Sequence, residues 1–596
     1  MKEFLKMTLA AMTGFLIVGA VFFFFTFALI GSLAALGSSQ PIMPGSAVLT
    51  IDLSKTAISE QTTEADPISQ IQGNNISVIG ILDAIRAIDT AASDPAVKYI
   101  FMKPDMASGG IAEIEELRNA LNNFRNSGKA VISYLETPTN AGYYLASVSD
   151  KVYMSAHEGT MSFINGLSSQ LIFLKDILDK LGVNVQLIRH GKYKSAGEMY
   201  IKNTASKENL EQNQELLDAI WKNWTSTIAE SRNISSEGFN SLIDNLKLNS
   251  SEDFLNNGLV DELLTREELK QKINDLYSAG TAENAPMISL ADYAKIKVLP
   301  NIKATNKIAV IYANGNIVDG ADIEQVAGDR FADIIAGVRK DSTVKAVVFR
   351  VSSPGGSVFA SEKIKSEIDL LRKDKPVIAS YGNYAASGGY WISANCDYIF
   401  SNAGTLTGSI GVFSMMYDLS GTMKDIAHVN ITSVNTNRHS DMYSGMRSLT
   451  NEEVAYMQAS VENIYDKFTG IVSDGRNLRK SYVDSIAQGR VWAGSDALEI
   501  GLVDQIGTIS DAIEYAALSA KGDFGSDLSN WQIVEYPKPL TTMEKVMQML
   551  NGENAKIFAG TGLESVEKAF KEWKNSKNGQ VYARIPYELI LSLIHI

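Results

Sequence analysis

The chain has 596 residues, 45% of them hydrophobic and 20% charged, an ordinary globular composition that excludes a disordered or collagen-like polymer. Its 54 Lys+Arg against 68 Asp+Glu give a formal charge of −14, which argues against nucleic acid as the main partner, because phosphate binding needs a concentrated basic surface. The length corresponds to about three to five domain equivalents, and the single cysteine, Cys396, excludes an intrachain disulfide and a zinc-cysteine cluster.

At the N-terminus, no charged side chain follows Lys2, Glu3 and Lys6 until Asp52, and residues 7–36 are almost wholly apolar. A bilayer needs about 20 apolar residues, whereas a cleavable signal peptide carries an apolar region of about 7–15, so the run reads as a transmembrane anchor. The small residues of 31–39 leave cleavage open. Lys2 and Lys6, with no basic counterpart downstream, orient the N-terminus to the cytoplasm and the body away from it.

The body repeats itself. Residues 97–103 followed by Ser108-Gly109-Gly110 match 344–351 followed by Pro354-Gly355-Gly356. The run 140–150 (NAGYYLASVSD) matches 387–397 (SGGYWISANCD), Arg189-His190 matches Arg438-His439, and Gly258-Leu-Val-Asp261 matches Gly501-Leu-Val-Asp504. Four landmarks in one order make a tandem duplication of a unit of roughly 200–250 residues.

Each unit reads as α/β. The apolar, valine-rich run 344–351 predicts a strand buried on both faces, broken by Pro354-Gly355-Gly356. Ile364, Ile368 and Leu371 then mark a helix face, and 376–381, 387–394 and 398–401 read as strand, short helix and strand. The first unit has the same order, with Ile111, Ile114, Leu117, Leu121 and Phe124 as its helical stripe. Such spacing implies right-handed crossovers and mostly parallel sheets. Residues 223–250 and 452–487 read mainly as helix, and 281–305 as a linker. The expected organisation is an anchor (1–46), a first repeat (47–305), a second repeat (306–536) and an appendage (537–590). The last six residues, 591–596 (LSLIHI), read as a translated sequencing adapter and carry no fold argument.

Ser387 stands at a strand-to-helix turn before Gly388-Gly389, where it is either a helix N-cap or a nucleophile beside helix-end N–H groups. Pro354-Gly355-Gly356-Ser357 is either a tight turn or a loop whose N–H groups face a developing oxyanion. Both follow consecutive strands of one inferred sheet, so they meet at its carboxyl edge, where such folds bind ligands. A base for Ser387 is either a histidine (His157, His190, His428 or His439) or a lysine whose pKa burial lowers, with 192–196 (KYKSA) offering Lys192 and Lys194.

Together, 385–391 (AASGGYW), 353–357 (SPGGS), 406–411 (LTGSIG), 489–492 (GRVW) and 193–196 (YKSA) resemble the signal peptide peptidase A (protease IV) family, in its long, duplicated, membrane-anchored Gram-negative form. The resemblance covers about residues 47–536 and the anchor. It implies tandem units of the Clp/crotonase-like fold, a serine–lysine dyad, no cofactor or metal, and a bowl-shaped homotetramer on the outer face of the inner membrane. By that resemblance Ser387 matches the nucleophile, Lys194 the general base and Ser409 the hydroxyl that orients the lysine. Gly356 and Gly388 match the oxyanion hole, and the choice of Lys194 over Lys192 rests on the Tyr-Lys-Ser alignment. The implied substrates are unfolded, apolar peptides such as signal-peptide remnants, bound by strand addition.

The duplication points the same way. The position equivalent to Ser387 in the first half is Asn140, and the one equivalent to Lys194 in the second half is Tyr443. Each half thus carries one member of the dyad, which predicts a site at their junction and no activity from either half alone. Two rivals remain at this stage: a crotonase-like acyl-thioester enzyme and an inactive peptide-binding scaffold.

Overall fold

The computed structural model describes residues 41–64, 76–277, 284–520, 527–541 and 578–585, with positions 6–8, 12–19, 21, 24 and 544. Among the described residues no helix is long and apolar enough to cross a membrane. Most of the apolar run expected to form the anchor lies outside them, as do the adapter-like residues 591–596.

The first half builds a six-stranded sheet in the order Glu262–Leu264, Lys151–Ser155, Val131–Leu135, Val97–Lys103, Ala47–Asp52, Met287–Ser289, every pair parallel. The second half repeats it with Val491–Ala493, Leu406–Gly408, Val377–Ala386, Val344–Ser353, Asn306–Asn314 and Trp531–Tyr536. Here Tyr398–Ser401 also pairs with Val377–Ala386, and only the pair of Leu406–Gly408 with Val491–Ala493 is antiparallel. Val344–Ser353 is buried along almost its whole length, as its valine-rich sequence requires of a strand covered on both faces.

The duplication extends to fine detail. Helices Lys207–Arg232 and Asn451–Arg476 are both 26 residues long and both end on a left-handed asparagine, Asn233 and Asn477. Asparagine tolerates that conformation better than other residues with a Cβ, and it cuts each expected helical segment in two. One hydrophobic core serves both halves, placing Leu49, Ile100 and Leu117 with Ile308, Val348 and Ile378.

Three expectations need correction. The strand expected at 376–381 continues to Ala386, because beyond Tyr381 it exchanges Tyr398–Ser401 for Leu406–Gly408 as its neighbour and stays extended. The expected linker 281–305 contains the edge strand Met287–Ser289 and helix Leu290–Lys297, whose first turn is capped by the Ser289 hydroxyl. The appendage is not wholly separate, since it contributes the strand Val581–Arg584 to a third sheet. That sheet runs Val326–Ala327, Ile317–Val318, Gly355–Ser357, Val581–Arg584, Phe413–Asp418, Asn184–Arg189, and so stitches the two halves together.

Candidate active site

Three neighbouring parallel strands of the second sheet end side by side. Val344–Ser353 runs into Pro354-Gly355-Gly356, Val377–Ala386 into Ser387, and Leu406–Gly408 into Ser409. The register Ser353↔Ala385 and Ala386↔Gly408 brings all three turns to one carboxyl edge. Ser387 N–H donates to Gly408 O at 2.8 Å, fixing the turn from the next strand.

Ser387 is completely buried and sits at φ 55°, ψ −111°, a strained conformation for a residue with a Cβ. An N-cap serine has extended backbone and accepts from the first turn, whereas Ser387 makes no cap hydrogen bond. That resolves the choice left by the sequence against the cap. The Ser387 hydroxyl instead faces Lys194 Nζ at 2.7 Å and Gly411 O at 3.3 Å.

Lys194 comes from the other half. The strand Asn184–Arg189 pairs antiparallel with Phe413–Asp418, and the chain then turns so that Tyr193 N–H donates to Gln488 O. Gly489 lies flat against Lys194: a Cβ there would meet the Lys194 Cα and Cβ at 2.7 and 2.6 Å, and its φ of +79° also demands glycine. The Arg490 guanidinium stacks between Tyr193 (4.8 Å) and Trp492 (4.3 Å), clamping the lysine segment to the second half. The GRVW motif thus holds the base candidate in position.

Among the described residues, the Lys194 amine hydrogen-bonds only to Ser387 Oγ, Ser409 Oγ (3.0 Å) and Ser409 O (3.2 Å). Burial, with no carboxylate opposing it among the described residues, pushes its pKa well below the ordinary lysine range. A neutral amine at that distance can take a hydroxyl proton. Lys192, by contrast, is exposed and lies over the Tyr193 ring. His190 pairs with Glu462 and His439 with Glu453, and among the described residues no histidine hydrogen-bonds Ser387.

Gly356 and Gly388 converge beside Ser387. A Cβ on Gly388 would stand 3.0 Å from Gly356 N, and one on Gly355 would stand 2.7 Å from Gly388 N. Gly355, at φ +100°, lets the two N–H groups approach. The corresponding place in the first half is closed. Asn140 spends its amide on Asn165 and Gly166, and Asn383 of the second half caps the helix after Gly110, its Oδ1 accepting from Ala112 N–H at 2.9 Å. Tyr443 is half-exposed. The structure therefore brings together Ser387, Lys194, Ser409, Gly356 and Gly388.

The sequence is similar to Protease 4 of Haemophilus influenzae, 37% identical over 466 residues, which are 76% of this chain and 75% of that protein. Protease 4 of Salmonella typhi is 35% identical over 485 residues, 79% of this chain and 76% of its own. The chloroplastic serine protease SPPA of Arabidopsis thaliana is 30% identical over 465 residues, 77% and 68% of the two chains. The sequence pattern of Peptidase family S49 matches twice, at residues 123–279 and 369–522, once in each half. With a matching region on either side of the duplication and relatives alike over three quarters of its length, the chain belongs to peptidase family S49.

Proposed function

We propose that this chain is a membrane-tethered serine endopeptidase working through a Ser387/Lys194 dyad assembled across its two repeats. The single observation that carries the reading is the buried Lys194 amine 2.7 Å from Ser387 Oγ, with no carboxylate among the described residues to keep it charged. Neutral Lys194 takes the Ser387 proton as Oγ attacks the scissile carbonyl, and passes it to the leaving amine. The N–H groups of Gly356 and Gly388 hold the oxyanion; one such donor is worth about 3–4 kcal/mol. Water then hydrolyses the acyl-enzyme, with Lys194 again as base.

The substrates under this reading are unfolded apolar peptides, including signal-peptide remnants, since extended chains pair with the glycine-rich edge beside Ser387 through their main chain. The apolar run 7–36 supports a single-pass anchor with a cytoplasmic N-terminus and a periplasmic body. The division into repeats 47–305 and 306–536 belongs to the same reading and rests on the duplicated landmarks, and a homotetramer at the inner membrane rests on the family resemblance.

The test combines active-site labelling with a pH profile. A fluorophosphonate is expected to label Ser387, and kcat/KM for a fluorogenic apolar peptide is expected to fall as pH drops, because protonation removes the base. Its midpoint should lie well below the ordinary lysine range. Unlabelled Ser387 with turnover of an acyl-thioester would favour the crotonase-like chemistry, and absence of any turnover the scaffold.

Ser409→Ala gives a separate expectation. Its hydroxyl, 3.0 Å from Lys194 Nζ, restrains the amine, so loss should lower kcat about a hundredfold through misplacement and leave KM nearly unchanged. A change confined to KM would remove Ser409 from the catalytic group.

A further inference from the structure

The Lys194 amine is a hydrogen-bond junction, and its chemistry sets a direction through it. A neutral amine has two N–H donors and one lone pair, and Lys194 Nζ faces Ser387 Oγ at 2.7 Å, Ser409 Oγ at 3.0 Å and Ser409 O at 3.2 Å. A carbonyl only accepts, so Ser409 O takes one N–H. For the lone pair to face Ser387, the second N–H must go to Ser409 Oγ. The Ser409 hydroxyl then has to send its own proton elsewhere, and Gly489 O, 3.3 Å from Ser409 Oγ, receives it. Turned the other way, Ser409 would donate into the lone pair and Ser387 would lose its base. The Gly489 carbonyl therefore decides which serine the amine serves.

That carbonyl belongs to the turn 488–490, which grips both sides of the junction. Ser409 N–H donates to Arg490 O at 2.6 Å, and Gly489 N–H to Ile410 O at 2.9 Å. On the lysine side Tyr193 N–H donates to Gln488 O at 3.0 Å, and Gly191 packs so closely that a Cβ there would collide with the Gln488 carbonyl. Gln488 itself stands at φ 54°, in the left-handed region that a residue with a Cβ avoids unless its surroundings impose it.

Tyr465, buried on helix Asn451–Arg476, imposes it. Its hydroxyl accepts from Gln488 N–H at 3.4 Å and from Gln488 Nε2 at 3.3 Å, and donates to Asp484 Oδ1 at 2.6 Å. Asp484 Oδ1 also accepts from Gln488 Nε2 at 2.8 Å, which closes a small network around the strained residue. Burial, with the hydrogen bond to Asp484, keeps the phenol neutral and able to donate. The Tyr465 ring stacks on His190 at 3.7 Å, at the start of the loop that carries the lysine, and His190 Nδ1 lies 2.6 Å from Glu462, one turn earlier on the same helix. One side chain thus touches both the loop that presents Lys194 and the turn that orients its neighbour.

We propose that Tyr465 is a positioning residue for the peptidase reaction: through Gln488 it fixes the Gly489 carbonyl, which orients the Ser409 hydroxyl so that the Lys194 lone pair faces Ser387. This rests on the dyad reading above. Tyr465 touches neither the substrate nor the reacting atoms. Once Lys194 has taken the Ser387 proton, the ammonium has three N–H donors for its three oxygen neighbours, so the bonds from Lys194 to Ser409 and from Ser409 to Gly489 keep their direction. The outer part of the network need not rearrange during turnover.

The experiment is a double-mutant cycle on the full-length protein in detergent, reading kcat and KM for a fluorogenic apolar peptide in wild type, Tyr465→Phe, Ser409→Ala and the double variant. Phenylalanine keeps the ring for His190 and removes the hydroxyl. Tyr465→Phe is expected to lower kcat about tenfold with KM nearly unchanged. Behind Ser409→Ala the same substitution should change kcat by less than about twofold, because no hydroxyl is left to orient. Gln488→Gly runs the cycle a second time: glycine takes the left-handed turn without strain, so this variant folds even if Tyr465→Phe does not, yet its carbonyl is freed. The same loss in wild type and the same silence behind Ser409→Ala are expected. A merely structural role predicts equal losses in both backgrounds. Equal losses, or full activity in both variants, overturn the proposal while the dyad stands, as long as Ser387→Ala measured alongside is dead. If Ser387→Ala keeps its turnover, the dyad reading fails and takes the positioning role with it.

Discussion

Lys194→Ala and Ser387→Ala are each expected to lower kcat for a fluorogenic apolar peptide by about 10⁴- to 10⁶-fold, the loss typical of a nucleophile or its base acting as one unit. Lys192→Ala, two residues from Lys194 but exposed in the fold, should leave the rate unchanged. The double variant should be little worse than either single one, since removing one partner already disables the other. Full activity in Lys194→Ala would place the base elsewhere. The same variant carries a stability signature. The native chain binds fewer protons at Lys194 than the unfolded one, so this residue's contribution rises with pH through the window above its lowered pKa. Replacing it with methionine removes the cost of burying an amine, and the folded state should gain stability at neutral pH even as the enzyme dies.

The second large effect concerns the joint between the halves. Arg350, fully buried in the second sheet, donates to Glu60 at 2.7 Å and to Glu116 at 2.8 Å, both from the first half, and to Ser380 Oγ at 3.0 Å. Burial alone would weaken the guanidinium, but Glu116 and Glu60 hold it charged, above its ordinary range. Arg350→Leu strands two buried carboxylates, and breaking a buried pair from one side costs about 3–5 kcal/mol. Urea unfolding should read that loss. Burial already raises Glu116 against the pull of Arg350, so without the guanidinium it recovers by taking up a proton, and the deficit should be small near pH 5 and grow toward pH 8. Adding Glu60→Gln and Glu116→Gln should restore most of the stability. A variant as stable as wild type at pH 8 would mean that water reaches the joint.

What the sequence disclosed follows from how local each signal is. The duplicated landmarks and the run 344–351 revealed repeated α/β units because a doubly covered strand writes its burial in consecutive residues. Ser387 was visible as a strand-to-helix turn, though only its φ of 55° separated nucleophile geometry from a cap. Lys194 was legible through the Tyr-Lys-Ser resemblance alone, since its burial depends on Gly489 and Gly411 pressing on it from a distant part of the chain. Helix Ile111–Asn126 shows the limit most clearly. Its apolar stripe was read correctly, but Glu113, Glu115 and Glu116 on its other faces are buried as well, because the second half packs there. Burial raises Glu113 and Glu115 to about 7. Met287–Ser289 and Val581–Arg584 were missed because three or four residues carry no period; partner strands alone give them their structure.

Lys194 and Ser387, the proposed base and nucleophile, are 193 residues apart and enter from opposite repeats. A ribosome therefore delivers the lysine long before the serine, and neither meets the other until the second repeat has emerged and closed on the first. Under the proposed dyad, a nascent chain that lacks the second repeat carries no working site, so its own biogenesis would act as a safety catch, with proteolysis beginning only once the second repeat is made and packed.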